Sequence, residues 1–159
     1  MSSIINNQTS TSDREISTKR VFDAPRELVW QVWTDPNHVG NWWGPNGFTN
    51  TIETMEVKPG GVWKFIMHGP DGTDYPNTIR YLEISKPERL VYRHGSDMED
   101  HPGDFHVTVT FKEQNGKTEL TMVALFQTAE HRNEVVEKYG AVEGMNQTME
   151  RLREYLNKL

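Results

Sequence analysis

Apolar and polar side chains alternate along most of the middle of the chain, whereas near its end the apolar side chains recur every three or four residues. The first pattern is typical of strands with one buried face, and the second of an amphipathic helix. Asn115-Gly116 is a strong hairpin turn between the last two alternating segments. The alternation predicts strands at 16–22, 51–57, 62–68, 77–84, 90–94, 105–111 and 118–126.

The longest helical pattern covers residues 129–159. Gly140 is expected to divide a short leading segment from the main helix, because glycine costs about 1 kcal/mol relative to alanine in a helix interior. Two shorter helices are predicted after the first strand, one between Pro25 and Asp35 and one at 36–42. The apolar stripe of the terminal helix consists of Val142, Met145, Met149, Leu152 and Leu156.

This order of elements predicts an α+β domain with an antiparallel meander of about seven strands, because tight turns join strands that follow one another. The terminal helix is the one predicted element long enough to cover a face of the sheet. A strongly curved sheet wrapped on one helix leaves a wedge of space, and ligand sites tend to occupy such concave spaces. We expect a single domain at 16–159, preceded by a disordered tail at 1–15, which is polar and rich in Ser, Thr and Asn.

Composition excludes several classes of function. The net charge is −6, with both signs mixed along the chain and no basic patch, so nucleic acid is not an expected partner. The chain has no cysteine, which excludes a disulfide framework, thiolate catalysis and cysteine-type zinc sites. No apolar run approaches the roughly 18 residues of a membrane span, and the N-terminus lacks the apolar run of a signal peptide. A cytoplasmic protein is the expectation.

Aromatic and methionine side chains fall on the faces that are expected to line the wedge. Flexible methionines suit variable apolar ligands. For any single one of these residues, ordinary core packing is the stronger alternative. The candidate ligand-binding residues are Trp43, Trp63, Phe65, Met67, Tyr92, His94, Val107, Met122, Met145 and Met149.

Tyr92 and His94 share one face of a predicted strand. If this face is concave, His94 can orient a ligand carbonyl or act as a general base near neutral pH. The alternative is that His94 lies at the open end of the sheet, where its ring is hydrogen-bonded or solvated. The spacing puts no nucleophile or carboxylate beside His94, so the catalytic residues stay unassigned and binding is favoured over catalysis.

Two other stretches have both a functional and a purely structural interpretation. The segment 94–106 is rich in His and carboxylates, but its spacing matches no zinc motif and no calcium loop, so we expect a solvated hairpin loop and no metal. Trp42-Trp43 is either an exposed recognition patch or a plug at the end of the interior space, and the plug is favoured. No Gly-rich phosphate loop occurs, and no cofactor is expected.

An ordered set of short motifs resembles a known family. The set runs over 17–159 and consists of Ala24-Pro25, Val29-Trp30, Thr34-Asp35-Pro36, Trp42-Trp43-Gly44-Pro45, Pro59-Gly60-Gly61, Gly69-Pro70-Asp71-Gly72, Pro87-Glu88-Arg89-Leu90, Val107-Thr108-Val109-Thr110-Phe111, Gly116-Lys117-Thr118-Glu119-Leu120 and Glu143-Gly144-Met145. It resembles the activator of Hsp90 ATPase homologue 1-like (AHSA1-like) branch of the START/Bet v 1-like (SRPBCC) superfamily. The resemblance implies a helix-grip fold, with an interior cavity that in relatives holds hydrophobic small molecules.

The resemblance implies three functions, since one fold carries many. The first is binding of a hydrophobic small molecule without a cofactor. The second is an enzyme of the cyclase, hydratase or hydrolase type that uses His94 and Tyr92. The third is an Hsp90-related interaction module. It ranks last, because the chain has no room for the additional N-terminal domain through which the eukaryotic activator engages Hsp90.

Two details are left open by the sequence. Met145 stands where the family often has a tryptophan after the helix glycine. An exposed sheet edge or the Trp42-Trp43 corner could support a homodimer, but nothing in the sequence requires one.

Overall fold

The structure is a computed structural model that describes residues 12–95 and 103–159. Within these residues, seven strands form one antiparallel sheet in the order β1-β7-β6-β5-β4-β3-β2. Consecutive strands from β2 to β7 are neighbours, and β1 closes the far edge by pairing with β7. The strands are β1 (Glu15–Phe22), β2 (Thr49–Met55), β3 (Val62–His68), β4 (Asp74–Ser85), β5 (Arg89–Gly95), β6 (Phe105–Gln114) and β7 (Lys117–Leu125).

Four α-helices accompany the sheet in the described part of the chain: α1 (Arg26–Thr34), α2 (Pro36–Val39), α3 (Ala129–Tyr139) and α4 (Ala141–Asn157). The carboxylate of Asp35 caps α2 by accepting a hydrogen bond from the backbone N–H of Asn37, and Thr128 caps α3 in the same way. Gly140 separates α3 from α4 with a φ of 61°, in the left-handed region that glycine enters at little cost. The helix break therefore falls at the glycine where the sequence predicts it.

The predicted α+β meander with a covering terminal helix is confirmed. The second helix ends at Val39 rather than at 42, and β4 and β6 extend beyond the predicted bounds. Of the predicted tail, residues 1–11 lie outside the described residues. Its last residues are ordered: Ser12–Arg14 form a short 3-10 turn and Glu15 begins β1. This turn is fastened by two hydrogen bonds, from the backbone N–H of Phe126 to Arg14 O and from Arg14 Nη1 to Phe126 O.

The core lies between the concave face of the sheet and the helices α1, α2 and α4. On the predicted stripe of α4, Met149, Leu152 and Leu156 are buried, whereas Val142 is 41% exposed. Val142 lies in the first turn of α4. The stripe therefore contacts the core along its C-terminal part.

Tryptophan rings fill one end of this core. Trp33 makes edge-to-face contacts with Trp42 and Phe111, with ring centroids 5.0 and 5.8 Å apart. Trp42 and Trp43 are 0% and 6% exposed, and Trp42 Nε1 donates to Val32 O at 3.1 Å. The Trp42-Trp43 pair is therefore a packed plug, and the interpretation as an exposed recognition patch is wrong.

Candidate functional site

A cavity of about 410 Å³ lies beside the tryptophan-filled end, between the concave face of the sheet and the N-terminal half of α4. Tyr139 and Gly140 also line it, and Tyr139 is 74% exposed, so the mouth of the cavity lies at the α3–α4 junction. The sheet contributes Ile16, Met67, Tyr92, His94, Phe105, Val107, Met122 and Ala124. The remaining wall consists of Trp43, Gly44, Pro45, Phe126, Ala141, Gly144, Met145, Thr148 and Met149.

Most of the candidate residues that the sequence indicates lie on this wall: Trp43, Met67, Tyr92, His94, Val107, Met122, Met145 and Met149. Trp63 and Phe65 do not line it. They form a layer behind Trp43, with ring centroids 4.9 Å apart for Trp43 and Trp63 and 4.3 Å apart for Trp63 and Phe65. Trp43 covers this part of β3, so Trp63 and Phe65 support the wall from behind.

Several lining residues are absent from the sequence-based set. Ala124 and Phe126 share the strand face of Met122, so the same alternation could have identified them. Tyr139, Gly140 and Ala141 line the cavity because α3 and α4 meet at its mouth. Helical periodicity carries no signal for such a junction, because it indicates the face of each helix but not the angle between two helices.

His94 is a partly buried titratable group on the wall. Its imidazole lies between the rings of Phe65 and Phe105, with centroids 6.4 and 5.1 Å away. His94 Nε2 is 2.8 Å from Asn77 Oδ1 on the neighbouring strand. Burial lowers the pKa of His94 to about 4, although the nearby carboxylate of Asp104 acts in the opposite direction. The ring is therefore neutral at pH 7.

Tyr92 precedes His94 by two residues on the same face of β5. Its hydroxyl is buried and has no hydrogen-bond partner among the described residues. Burial raises the pKa of Tyr92 far above its usual range, and the neighbouring Tyr81 raises it further. Tyr92 therefore stays protonated, so its hydroxyl is a hydrogen-bond donor and not a nucleophilic phenolate.

Arg151 on α4 fastens the segment that brings Trp43 to the cavity. Its guanidinium donates to four backbone carbonyls, and burial lowers its pKa from a very high value, so it stays charged. The acceptors are Trp43 O at 3.2 Å, Gly44 O at 2.8 Å and Pro45 O at 2.9 Å for Nη1, and Phe48 O at 3.0 Å for Nη2. One side chain thus contacts four carbonyls of this turn and holds the turn against the cavity.

The described residues contain no group of three or more His, Cys, Asp or Glu side chains that could hold a metal ion. The His- and carboxylate-rich segment 94–106 is described only in part, because 96–102 lie outside the described residues. Across the described ranges, no helix combines the length and the hydropathy needed to cross a membrane.

Comparison with known proteins identifies the family. Residues 23–157 match the family model described as "Activator of Hsp90 ATPase homolog 1-like protein". This match spans most of the chain, and the chain therefore belongs to that family. The search of curated proteins found no match.

Solved structures agree with the family assignment. A protein from Arthrobacter aurescens solved by NMR is 29% identical, with a TM-score of 0.86 over 96% of this chain and 91% of that one. A protein from Rhodobacter sphaeroides is 27% identical, with a TM-score of 0.80 over 92% and 95% of the two chains. The AHSA1-like protein from Aeromonas hydrophila is 18% identical, with a TM-score of 0.72 over 91% and 92%, and shows the fold alone. The predicted helix-grip fold is confirmed, and this fold is consistent with a ligand-binding domain.

Proposed function

We propose that this member of the AHSA1-like family binds a hydrophobic small molecule in the cavity between the sheet and α4. The observation that carries the proposal is the cavity of about 410 Å³ with its mostly apolar wall. Small-molecule sites have volumes of roughly 300–1,000 Å³ and a few polar groups on a hydrophobic lining. Protein interiors are otherwise close-packed, with few voids larger than a water molecule.

The methionines of the wall support a hydrophobic and adaptable site. Met67, Met122, Met145 and Met149 reach the cavity from two strands and from α4. A methionine side chain has three rotatable bonds and a polarizable sulfur, so it can repack around apolar molecules of different shape. A wall that carries four of them suits a ligand that is recognised mainly by burial of apolar surface.

The enzyme alternative has less support. A general base works best when its pKa lies near the operating pH, and His94 has a pKa of about 4. Tyr92 is held protonated by its surroundings.

The Hsp90-related alternative remains a prediction of the family resemblance, and it is tested by measuring the Hsp90 ATPase rate with and without this protein. An unchanged rate removes that alternative.

Binding can be tested with N-phenyl-1-naphthylamine, a neutral dye whose fluorescence rises in apolar sites. Ala124 is 4% exposed and lines the cavity, so Ala124→Leu adds side-chain volume to the cavity itself. We expect saturable dye binding to the unmodified protein and an affinity loss of about tenfold or more in Ala124→Leu. A ligand present at 100 times its Kd should also stabilise the protein by about 2.7 kcal/mol.

Val123→Leu is the matched control, because Val123 is the neighbour of Ala124 on β7 and points to the opposite face of the sheet. It should bind the dye as the unmodified protein does. Melting temperatures of both variants establish that they are folded. Identical titration curves for all three proteins, or no saturable binding to any of them, would show that the proposal is wrong.

A further inference from the structure

The amide of Asn77 is held in one orientation. Its Nδ2 lies 2.9 Å from the backbone oxygen of Tyr75, which can only accept a hydrogen bond. The amide nitrogen therefore faces Tyr75, and Oδ1 faces His94 Nε2 at 2.8 Å. Because Oδ1 is also an acceptor only, Nε2 of His94 must carry the proton of this hydrogen bond.

This bond fixes the tautomer of His94. A neutral imidazole carries one proton, and burial keeps the ring neutral at pH 7 by lowering its pKa to about 4. With the proton on Nε2, Nδ1 presents a bare lone pair. Nδ1 receives no hydrogen bond from the residues that the structure describes, and it is not among the fully buried polar atoms that lack a partner. His94 therefore contributes an unpaired acceptor to the cavity wall.

An unpaired acceptor discriminates between ligands. In the free protein a water molecule can donate to it, but an apolar ligand that displaces this water without donating leaves the lone pair unsatisfied. Ketones, ethers and carboxylates offer only acceptors to Nδ1. A hydroxyl group is the smallest neutral group that donates.

The surroundings of His94 also act against anions. Asp104 is 2% exposed, and its carboxylate is close enough to act electrostatically on His94. Its Oδ2 lies 3.5 Å from Nε of Arg93, whose charge it offsets. Because Asp104 already offsets Arg93, a ligand carboxylate at Nδ1 would meet the lone pair and gain no counter-charge from Arg93, in an environment that screens charges weakly.

We infer that the cavity selects a mostly apolar, neutral alcohol or phenol whose O–H donates to Nδ1 of His94. The inference rests on the proposed function and adds the polarity of the recognised group. Asn77 is a positioning residue, because its amide determines which nitrogen of His94 is free. This role differs from the carbonyl contact that the sequence suggests, since a carbonyl needs a donor and the hydrogen bond to Asn77 leaves an acceptor.

Three biphenyls of similar shape test the inference by calorimetry at pH 7.5: 4-phenylphenol, 4-methoxybiphenyl and biphenyl-4-carboxylate. The ether is larger and more apolar than the phenol, so burial of surface alone would favour the ether. We expect the phenol to bind about tenfold more tightly than the ether, and the carboxylate to bind most weakly.

His94→Phe keeps a planar ring and removes the acceptor. This variant should bind the phenol and the ether with about equal affinity, and its affinity for the ether should match that of the unmodified protein. His106→Phe is the matched control, because His106 is exposed on the adjacent strand β6, and it should retain the full preference.

Asn77→Leu tests the positioning role through a spectroscopic signature. Imidazole ¹⁵N chemical shifts report which nitrogen carries the proton. The unmodified protein should show the Nε2–H tautomer of His94, and Asn77→Leu should show a mixture together with a reduced preference for the phenol. An Nδ1–H tautomer in the unmodified protein would contradict the inference.

The outcomes separate the two proposals. Equal affinity for the phenol and the ether, or no binding of the phenol, overturns the inference but leaves the binding function intact if the dye binds in the cavity. Failure of the dye and of all three biphenyls to bind overturns both.

Discussion

The two ends of the space between the sheet and the helices are built from different side chains. At one end, Trp33, Trp42, Trp43 and Phe111 pack edge to face and leave almost no accessible surface. At the other end lies the cavity of about 410 Å³. The same sheet and the same helix cover both ends, so the fold alone does not explain the difference.

The difference follows from side-chain size along α4. Its C-terminal part presents Leu152 and Leu156, which are buried against the core. Its N-terminal part presents Gly144 and Thr148 toward the cavity, where an added Cβ on Gly144 would meet only Pro45, at 3.4 Å. Gly144 and Thr148 thus leave part of the volume open between Met145 and Met149, whereas Leu152 and Leu156 fill the space beside the C-terminal half.

The polar groups of the two ends differ as well. At the packed end, Trp42 Nε1 and Thr118 Oγ1 both donate to backbone carbonyls, at 3.1 and 2.7 Å. At the cavity, His94 Nδ1 and the Tyr92 hydroxyl have no such partner within 12–95 and 103–159. Trp63 is an exception behind Trp43, since its buried Nε1 also lacks a partner in these ranges. The Tyr92 hydroxyl is fully buried, so Nδ1 of His94 is the one of these two groups that a ligand can pair.

The largest expected effect compares the two ends directly. Trp33→Ala should lower the free energy of unfolding by about 4 kcal/mol, because it opens a void in close-packed surroundings. Met122→Ala should cost only about 1 kcal/mol, because Met122 already borders empty space on one side. Urea unfolding of both variants measures the contrast. Equal losses would mean that the two ends are packed alike.

A second prediction concerns pH and the neutral ring of His94. Its folded pKa of about 4 lies below the unfolded value of about 6.5, so the unfolded chain binds more protons between these values. The stabilisation is complete above pH 6.5 and is lost as the pH falls toward 4. Between pH 7.5 and 4.5 the loss should be at most about 2.5 kcal/mol.

The control for this prediction is His94→Gln, in which the titrating group is missing. The two proteins differ at this one position, so the difference between their urea midpoints isolates His94. The difference in unfolding free energy between the unmodified protein and His94→Gln should become smaller as the pH falls. If this difference does not change with pH, His94 is not buried as a neutral ring.

A third prediction concerns the link between the two ends. Arg151→Met should cost about 2 kcal/mol, because four carbonyls of the turn that holds Trp43 lose their charged donor. Arg153→Met on the same helix removes an exposed pair with Glu150 and should leave the urea midpoint close to that of the unmodified protein. If the two variants are equally stable, Arg151 is not what fastens the turn.

The smallest expected effect is at the mouth of the cavity. Gly140→Ala should cost about 1 kcal/mol, because a residue with a Cβ is strained at a φ of 61°. No atom lies within 4 Å of the added Cβ, so the cost arises from the backbone conformation alone. Gly140→Asn should cost less, since asparagine tolerates this region. Thermal unfolding that ranks asparagine below alanine would contradict this explanation.

The sequence by itself determined the order of the elements, the hairpin at Asn115-Gly116 and the helix break at Gly140. These features are local, because they depend on alternation, on helical spacing and on glycine conformation. The same periodicity also indicated several of the side chains on the cavity wall, since it identifies the face on which each side chain lies.

Only the tertiary structure decided which of those side chains reach the cavity. Periodicity assigns Trp63, Phe65 and Met67 to one face, but it does not show that Trp43 covers the first two and leaves the third on the wall. Nor does it indicate that Asn77, seventeen residues from His94, holds the imidazole in one tautomer. The physical reason is that coverage by a distant element and pairing across strands depend on how the chain folds back on itself, which no local pattern records.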